Sequence, residues 1–532
     1  LRLENFFHRI TGFVMDQIRS FFSVAVSLAL RSKIAAVAYF ICLALLFVIS
    51  VRGVMPTVGQ ELMPPMDTGG VRVNIVTDPN LPIEASQRII GEVNTILTEN
   101  GPLLRLSSAI GSEPGVLSIG SGSGTDHIAI TATYVNRYER EETIWEIEHR
   151  LRPLLARIDN IKSLEVVDFG ATAMASIRAS VDVTLSSPNF ADLETAGDLV
   201  EKALYKTKGL VSVARTWHND KTIYNLEIDQ ARAAMYGLKS GDIAGQLQAI
   251  LRGAMVGSFP LQNSVDFGVR VWLPEEQRDS MELLQSTLLD TPKGKIPLAA
   301  FASFKSAQEP GIITREGLNY TLNVYGSREK AAISHIMADF QKVFEGTKLP
   351  LSVTMEQSGD VKQFKNAAGR MGAAIGFAVI LIFFTLIALF DSIKVAIMIV
   401  LSIPLTIIGA SWTNLILDYH VSMPAMMGFI LLSGIIVNNA ILLIHFAQEK
   451  MAEGLNKKEA MLESIHIRTR PVLMTAFAVA AGMLPVAMGS AIGLERLAPL
   501  GAVAIGGLIV GTFLTLLFIP LIFIMVTKET AS

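Results

Sequence analysis

Two carboxamides stand side by side, Asn438 and Asn439, inside the run GIIVNNAILLIHF (434–446), which belongs to a stretch apolar enough to cross a bilayer. An amide donates and accepts hydrogen bonds but neither binds nor releases a proton. An ionised side chain at the bilayer centre costs at least ~2.5–3.5 kcal/mol on insertion scales, so intramembrane charges ordinarily mark function. None of the long apolar stretches has Asp, Glu, Lys or Arg in its central region, and His445 falls toward one end of its own. The chain therefore offers no intramembrane proton relay by itself. What the two amides can do is hydrogen-bond, either to polar groups of another segment or as glue between helices at ~0.6 kcal/mol or somewhat more each.

Other chemistries find less support. The 21 methionines raise metal handling, because thioethers are soft-metal ligands. Seven lie in the long apolar stretches, where Met is a gap filler; Met63, Met66 and Met174 lie near an expected cleft, and no CxxC or HxxxH spacing occurs. The absence of a GxxxxGK[ST] sequence leaves no P-loop for ATP. Cys42 is the single cysteine, so no intrachain disulfide forms, and its setting is that of a small apolar filler. A net charge of −3 gives no reason to expect nucleic acid. No cofactor is expected.

These residues must be positioned by membrane helices. The chain has 532 residues, 51% of them hydrophobic, and a mean hydropathy of +0.44. Six runs reach spanning length, at 34–51, 372–390, 395–417, 424–447, 471–489 and 497–526. Between the first and second lie about 320 residues of ordinary soluble composition. The class is a polytopic α-helical membrane protein, with six transmembrane helices and one large α+β domain outside the membrane.

Ahead of the first span, Leu3, Phe6, Phe7, Ile10, Val14 and Ile18 recur at helical spacing among Arg2, Arg9 and Arg19. That pattern predicts an amphipathic helix on the membrane surface over 1–33. A start at Leu1 without methionine suggests a piece of a longer polypeptide. Arg19, Arg31 and Lys33 precede the first span, and Lys450, Lys457, Lys458, Arg468 and Arg470 fill the connection between the fourth and fifth. The positive-inside rule puts both termini in the cytoplasm and, by parity, the large domain in the periplasm of a Gram-negative cell.

The large domain repeats itself. Strand, helix and strand patterns at 71–76, 84–97 and 104–109 are followed by strand, helix and strand at 127–134, 142–158 and 163–167. A second copy runs through 179–185, 192–205 and 211–215, then resumes at 319–325, 330–344 and 351–355. Each is the order βαββαβ, the ferredoxin-like unit. The second is interrupted by a stretch with its own helical and strand patterns, which reads as a subdomain. Two such units side by side leave a cleft, a default place for a ligand, or simply pack as structural modules.

The chain resembles the C-terminal half of a resistance–nodulation–division (RND) efflux transporter of the hydrophobe or amphiphile (multidrug) type. The resemblance rests on GQELMPPMDTGG after the first span, GLVSVARTWHND, FDSIKVAIMIVLSIPLTIIGA, MGFILLSGIIVNNAILLIHFAQE and RTRPVLMTAFAVAAGMLPVAMG, which occur in order through almost the whole chain. The N-terminal half of such proteins typically carries acidic residues in its fourth span, and none occurs here. The resemblance implies a linker helix over 1–33, a first span at 34–52 and a first porter subdomain at 53–172. A second porter subdomain would occupy 173–360, with a docking insertion at about 225–306, and the remaining spans 361–529.

The implied protein is a proton antiporter of the inner membrane and not an enzyme. It would be a homotrimer completed by the N-terminal half of the same transporter, docking onto a periplasmic adaptor and an outer-membrane channel. Its substrates would be small amphiphiles such as drugs, lipids or detergents, with metal ions the weaker cargo. In the multidrug branch a lysine occupies the position of Asn438. The amide here implies hydrogen bonds from Asn438, with Asn439 and Thr475, to carboxylates of the missing half. Arg468 matches an arginine of the conducting path, or serves as a positive-inside anchor. The loop 111–124, with Pro114, Val116, Leu117 and Ile119, matches a substrate-gating loop or is a plain hairpin. A membrane scaffold that does not couple to protons, a half-size partner subunit, and a lipid exporter of the same superfamily are the rival readings.

Overall fold

The computed structural model describes residues 2–112, 123–168, 179–260, 267–274, 276 and 280–527. They divide into two compact units, Leu1–Thr216 with Ile313–Ser532, and Trp217–Ile312.

Among the described residues, six helical stretches are long and apolar enough to cross a membrane: Ile34–Val58, Gly359–Phe390, Ile393–Ile416, Met423–Ala452, Lys457–Ala487 and Leu494–Val526. A further helix, Arg2–Ala29, precedes the first. The first span widens into a π-helical turn over Ile49–Val54 before ending at Gly59. The third is broken between Ile393–Val400 and Leu405–Ile416. Pro404 stands at that break, and a proline cannot supply the N–H that a continuous helix requires.

Two helices begin well before their apolar runs do. The second starts at Gly359 rather than 372, because 359–371 (GDVKQFKNAAGRM) contains good helix formers and no proline. The fifth starts at Lys457, where Asn456 accepts a hydrogen bond from the Glu459 N–H at 2.9 Å, and it runs through Pro471. The sixth span is the hub of the helical packing and lies tightly against the third. A Cβ built on Gly409 would stand 2.2 Å from the Gly506 carbonyl oxygen, so only glycine lets the two backbones approach this closely.

The first α+β unit comprises β1 (Gly70–Thr77), helix Ile83–Glu99, β2 (Leu103–Ser112), β3 (Ser123–Tyr134), helix Ile144–Leu155 and β4 (Ile161–Asp168). Its sheet has the order β2-β3-β1-β4, all antiparallel. Val71, Val73 and Ile75 alternate inward from β1 onto Ile89, Val93, Ile147 and Leu151 of the helices. Thr143 and Glu146 form a reciprocal cap at the start of the second helix.

The second α+β unit begins with β5 (Val181–Ser187), helix Phe190–Lys206 and β6 (Leu210–Arg215). The compact unit Trp217–Ile312 follows, holding β7 (Lys221–Ile228), β8 (Ala254–Phe259), β9 (Phe267–Val271), β10 (Leu288–Thr291), β11 (Gly294–Pro297) and β12 (Ala302–Glu309). These pair as β7 with β12, β8 with β9, and β10 with β11. The chain then returns through β13 (Thr314–Glu316), β14 (Asn319–Arg328), helix Ile333–Phe344 and β15 (Thr354–Ser358). β14 pairs with β5, β6 and β13, and β15 with the other edge of β5, all antiparallel. Taken in chain order, β5, β6, β14 and β15 repeat the strand order of the first unit.

Candidate functional site

Successive residues on a helix point about 100° apart, so neighbouring amides meet different surroundings. Asn438 is exposed, on the same face of the fourth span as Met427, Leu431 and Gly434. Asn439 is buried, and its Nδ2 has no hydrogen-bond partner among the described residues. Thr475 is exposed on the fifth span, where its hydroxyl donates back to the Val472 carbonyl at 2.9 Å. The fourth and fifth spans are joined by Ser464, which donates to the Leu443 carbonyl at 2.7 Å.

Arg468 lies over the Phe446 ring, 5.0 Å from its centroid, and so reaches the fourth span by a cation–π contact. Among the described residues no hydrogen bond connects Asn438, Asn439, Thr475 and Arg468 to one another. The structure places Asn438 and Thr475 on open faces and buries Asn439. Pro114, Val116, Leu117 and Ile119 lie outside the described residues, as does Met174.

A second polar assembly escaped the sequence reading. Arg328, at the end of β14, is fully buried. Its Nη1 donates to Glu61 Oε2 at 2.6 Å and to the Ala331 carbonyl at 2.9 Å, and its Nη2 donates to the Met63 carbonyl at 3.1 Å. His420 Nδ1 stands 3.3 Å from the same Glu61 oxygen. Glu61 belongs to the turn after the first span, and His420 to the connection between the third and fourth.

Backbone bonds stitch these two segments together. The Glu61 N–H donates to Val421 O at 3.1 Å, Val421 N–H to Gly59 O at 3.0 Å, and Met423 N–H to Leu62 O at 3.1 Å. Gly59 adopts a φ of +76°, and a Cβ there would meet Ala332 Cβ at 2.5 Å, so the turn against the second α+β unit requires glycine. Asp360, also buried, opens the second-span helix beside Arg328, Glu61 and Arg496.

The residues around Arg328 extend this junction to the first α+β unit. Ser327 bonds to Glu165, Glu329 lies 3.3 Å from Arg152 and 3.0 Å from His149, and Lys330 Nζ sits 4.1 Å from the centroid of the Trp145 ring. The first unit is also tied to the loop between the fifth and sixth spans: Arg137 pairs with Glu495 and donates to Gly489 O, and the Tyr138 hydroxyl donates to Ser490 O at 2.6 Å. Each α+β unit is thus fastened to different membrane helices. The local signal for Arg328 was only a charged run, SREK, after an apolar strand. Its partner Glu61 lies 267 positions away.

A sequence model of the AcrB/AcrD/AcrF family matches residues 2–527. The nickel-cobalt-cadmium resistance protein NccA of Alcaligenes xylosoxydans xylosoxydans is 25% identical over 497 residues, covering 89% of this chain and 45% of that protein. The cobalt-zinc-cadmium resistance protein CzcA of Cupriavidus metallidurans is 24% identical over 505 residues, covering 93% of this chain and 47% of that protein. The multidrug resistance protein MdtC of Erwinia tasmaniensis is 26% identical over 479 residues, covering 89% and 45%. A crystal structure of a heavy metal efflux pump superposes with a TM-score of 0.83 at 18% identity, covering 97% of this chain and 52% of that one, a likeness of fold. The chain spans about half the length of the curated relatives it matches.

Proposed function

The chain belongs to the AcrB/AcrD/AcrF family of resistance–nodulation–division transporters, and on that premise we propose that it acts as the C-terminal half of a proton-driven efflux pump. One observation carries this reading: Asn438 on the fourth span and Thr475 on the fifth present polar, non-titrating groups on open helix faces. Amides on such a face orient and stabilise carboxylates; they do not replace them. The titrating acids therefore come from the other half of the transporter, packed against these faces. A membrane potential supplies about 2.3 kcal/mol per charge per 100 mV, and each pH unit adds about 1.4 kcal/mol. Both terms are available to a proton antiporter without ATP.

In this reading the pump is an inner-membrane homotrimer with both termini in the cytoplasm. Its two α+β units are ferredoxin-like porter subdomains in the periplasm, a reading supported by their common strand order. The unit Trp217–Ile312 meets the outer-membrane channel, and a periplasmic adaptor completes the assembly.

The cargo we favour is a divalent transition-metal cation, because NccA and CzcA are named for resistance to such ions. This revises the expectation of an organic amphiphile. The amphiphile remains the second reading on two observations: MdtC is named for multidrug resistance, and the described residues hold no group of three His, Cys, Asp or Glu able to bind a metal ion.

The test is transport by the complete protein in proteoliposomes under an imposed pH gradient, with cobalt, nickel, zinc, cadmium and a lipophilic dye as separate cargoes. Proton-dependent movement of the cations and not the dye supports the first cargo, and the reverse supports the second. An uncoupled scaffold would move neither.

A further inference from the structure

Buried carboxyl groups cluster around helix Ile144–Leu155 and the end of β4. Asp67, Glu148 and Asp168 are all buried. Asp67 is fully provided for: Arg140 pairs with it, and the N–H groups of Gly69 and Ile144 donate to it at 3.1 and 3.0 Å. Glu148 is not. Its Oε2 accepts from Arg152 Nη2 at 2.7 Å, while its Oε1 is buried with no hydrogen-bond partner among the described residues.

Arg152 is also divided among other acceptors. It donates to the Val166 carbonyl through Nε at 3.1 Å and Nη2 at 3.0 Å, and its Nη1 lies 3.3 Å from Glu329. Asp168 is worse placed, with both carboxyl oxygens buried and unpartnered among the described residues. The cations near it are Arg328, which is already bonded to Glu61, and Arg496.

Two buried carboxyl groups partnered this incompletely do not both stay ionised, since desolvation outweighs what the neighbouring guanidinium groups return. Burial first, and then the nearby Asp168, push the Glu148 carboxyl up to about 9. Burial likewise pushes Asp168 up to about 7, against the opposing pull of its own backbone N–H and then of Arg328 and Arg496.

We propose that Glu148 is a proton-binding site outside the membrane, occupied at neutral pH, and that its occupancy sets how Arg152 is shared between the two α+β units. The proton belongs on Oε1, the oxygen that Arg152 does not reach. The groups facing Glu148 are Arg152 on its own helix, Asp168 on β4, Asp67 with its partner Arg140, and Glu329, which His149 also contacts. With the proton bound, Glu148 is a weak acceptor and Arg152 remains available to Glu329. Once the proton leaves, the carboxylate competes for the guanidinium and Glu329 is left to His149. Proton occupancy on the first unit is thereby linked to a contact with the second. The site does not depend on what is transported or on whether transport occurs.

The test uses the complete transporter purified in detergent and its Glu148→Gln variant, an isostere of the protonated acid. A folded-state pKa raised above the unfolded one makes the parent lose stability as pH climbs between the two, by about tenfold in the folding equilibrium per pH unit. Glu148→Gln is free of that loss. The two proteins should melt together near about pH 5, and the variant should melt higher at about pH 8. An infrared difference spectrum at about pH 7.5 should show a protonated-carboxyl band in the parent that the variant lacks. A melting gap that stays constant with pH, or coincident spectra, would make Glu148 an ionised partner of Arg152 and overturn the proposal. If Glu148→Gln does not fold, Asp168→Asn decides. Removing that neighbouring charge should move the titration of the band to lower pH, and an unmoved titration would equally overturn it.

Discussion

The guanidinium of Arg328 and the carboxylate of Glu61 meet at 2.6 Å with both side chains almost wholly excluded from solvent. One ends a strand of the second α+β unit, and the other sits in the turn leaving the first span. A buried pair of this kind adds little net stability over apolar residues of the same shape, yet it punishes the loss of one partner. Arg328→Met should cost about 3–5 kcal/mol by leaving the buried Glu61 carboxylate without its guanidinium partner. The double variant Glu61→Leu with Arg328→Met should recover most of that loss. Unfolding midpoints of the four proteins in a double-mutant cycle check the prediction, and additive losses would refute it.

The tie between the first α+β unit and the last membrane loop rests on Arg137. Its guanidinium serves both Glu495 and the Gly489 carbonyl, so truncation removes a charge-assisted pair and a backbone bond together. Arg137→Ala should cost about 1.5–3 kcal/mol, in the range of hydrogen bonds to charged groups. Amide exchange should accelerate over Leu494–Leu497, the short helical turn that carries Glu495. Unchanged exchange there would mean that the turn is held by its own helix.

Much of the α+β architecture was legible locally. The alternation in HIAITATY (127–134) and the helical row Ile144, Ile147, Leu151 and Leu154 mark core faces; Ile128, Ile130, Ile144, Ile147 and Leu151 are in the observed core, while Leu154 is half-buried. Hydropathy read the second span short, because it registers only the apolar part of a helix that starts at Gly359. The Arg328–Glu61 pair left no local pattern, since no periodicity links residues brought together only by the folded chain. The two amides stood out in sequence, but which of them faces outward depends on the packing of neighbouring spans. Cargo was the least legible feature: no ligand spacing in the sequence points to the metal ions for which several relatives are named.

If Asn438 contacts acids of the other half, replacing it should impair coupling without harming the fold. Asn438 is exposed in this chain, so Asn438→Leu costs no internal hydrogen bond. Proton-coupled export by the complete protein should fall by about tenfold, a coupling of ordinary size. Asn439→Leu addresses the opposite case. It removes a buried amide whose Nδ2 is unpartnered among the described residues, and it should leave stability equal or raise it by about 1 kcal/mol. Parallel transport and melting measurements separate the two, and unchanged export by Asn438→Leu at matched expression removes Asn438 from the relay.

Gly434 offers a test of what covers this face. It lies one helical turn from Asn438, and a Cβ built on it would meet nothing within 4 Å. Lipid chains in that space would accommodate a large side chain with little penalty, because they are fluid and apolar. A second set of helices would not, since small residues in membrane helices are places where backbones approach closely. In the complete transporter Gly434→Trp should therefore lower the melting temperature and abolish transport, while Phe384→Trp, at an exposed position of the second span, should do neither. Wild-type behaviour of Gly434→Trp would place lipid on this face. Asn438 and Thr475 would then have no carboxylates to meet, and the division of titrating groups between two halves would lose its physical basis.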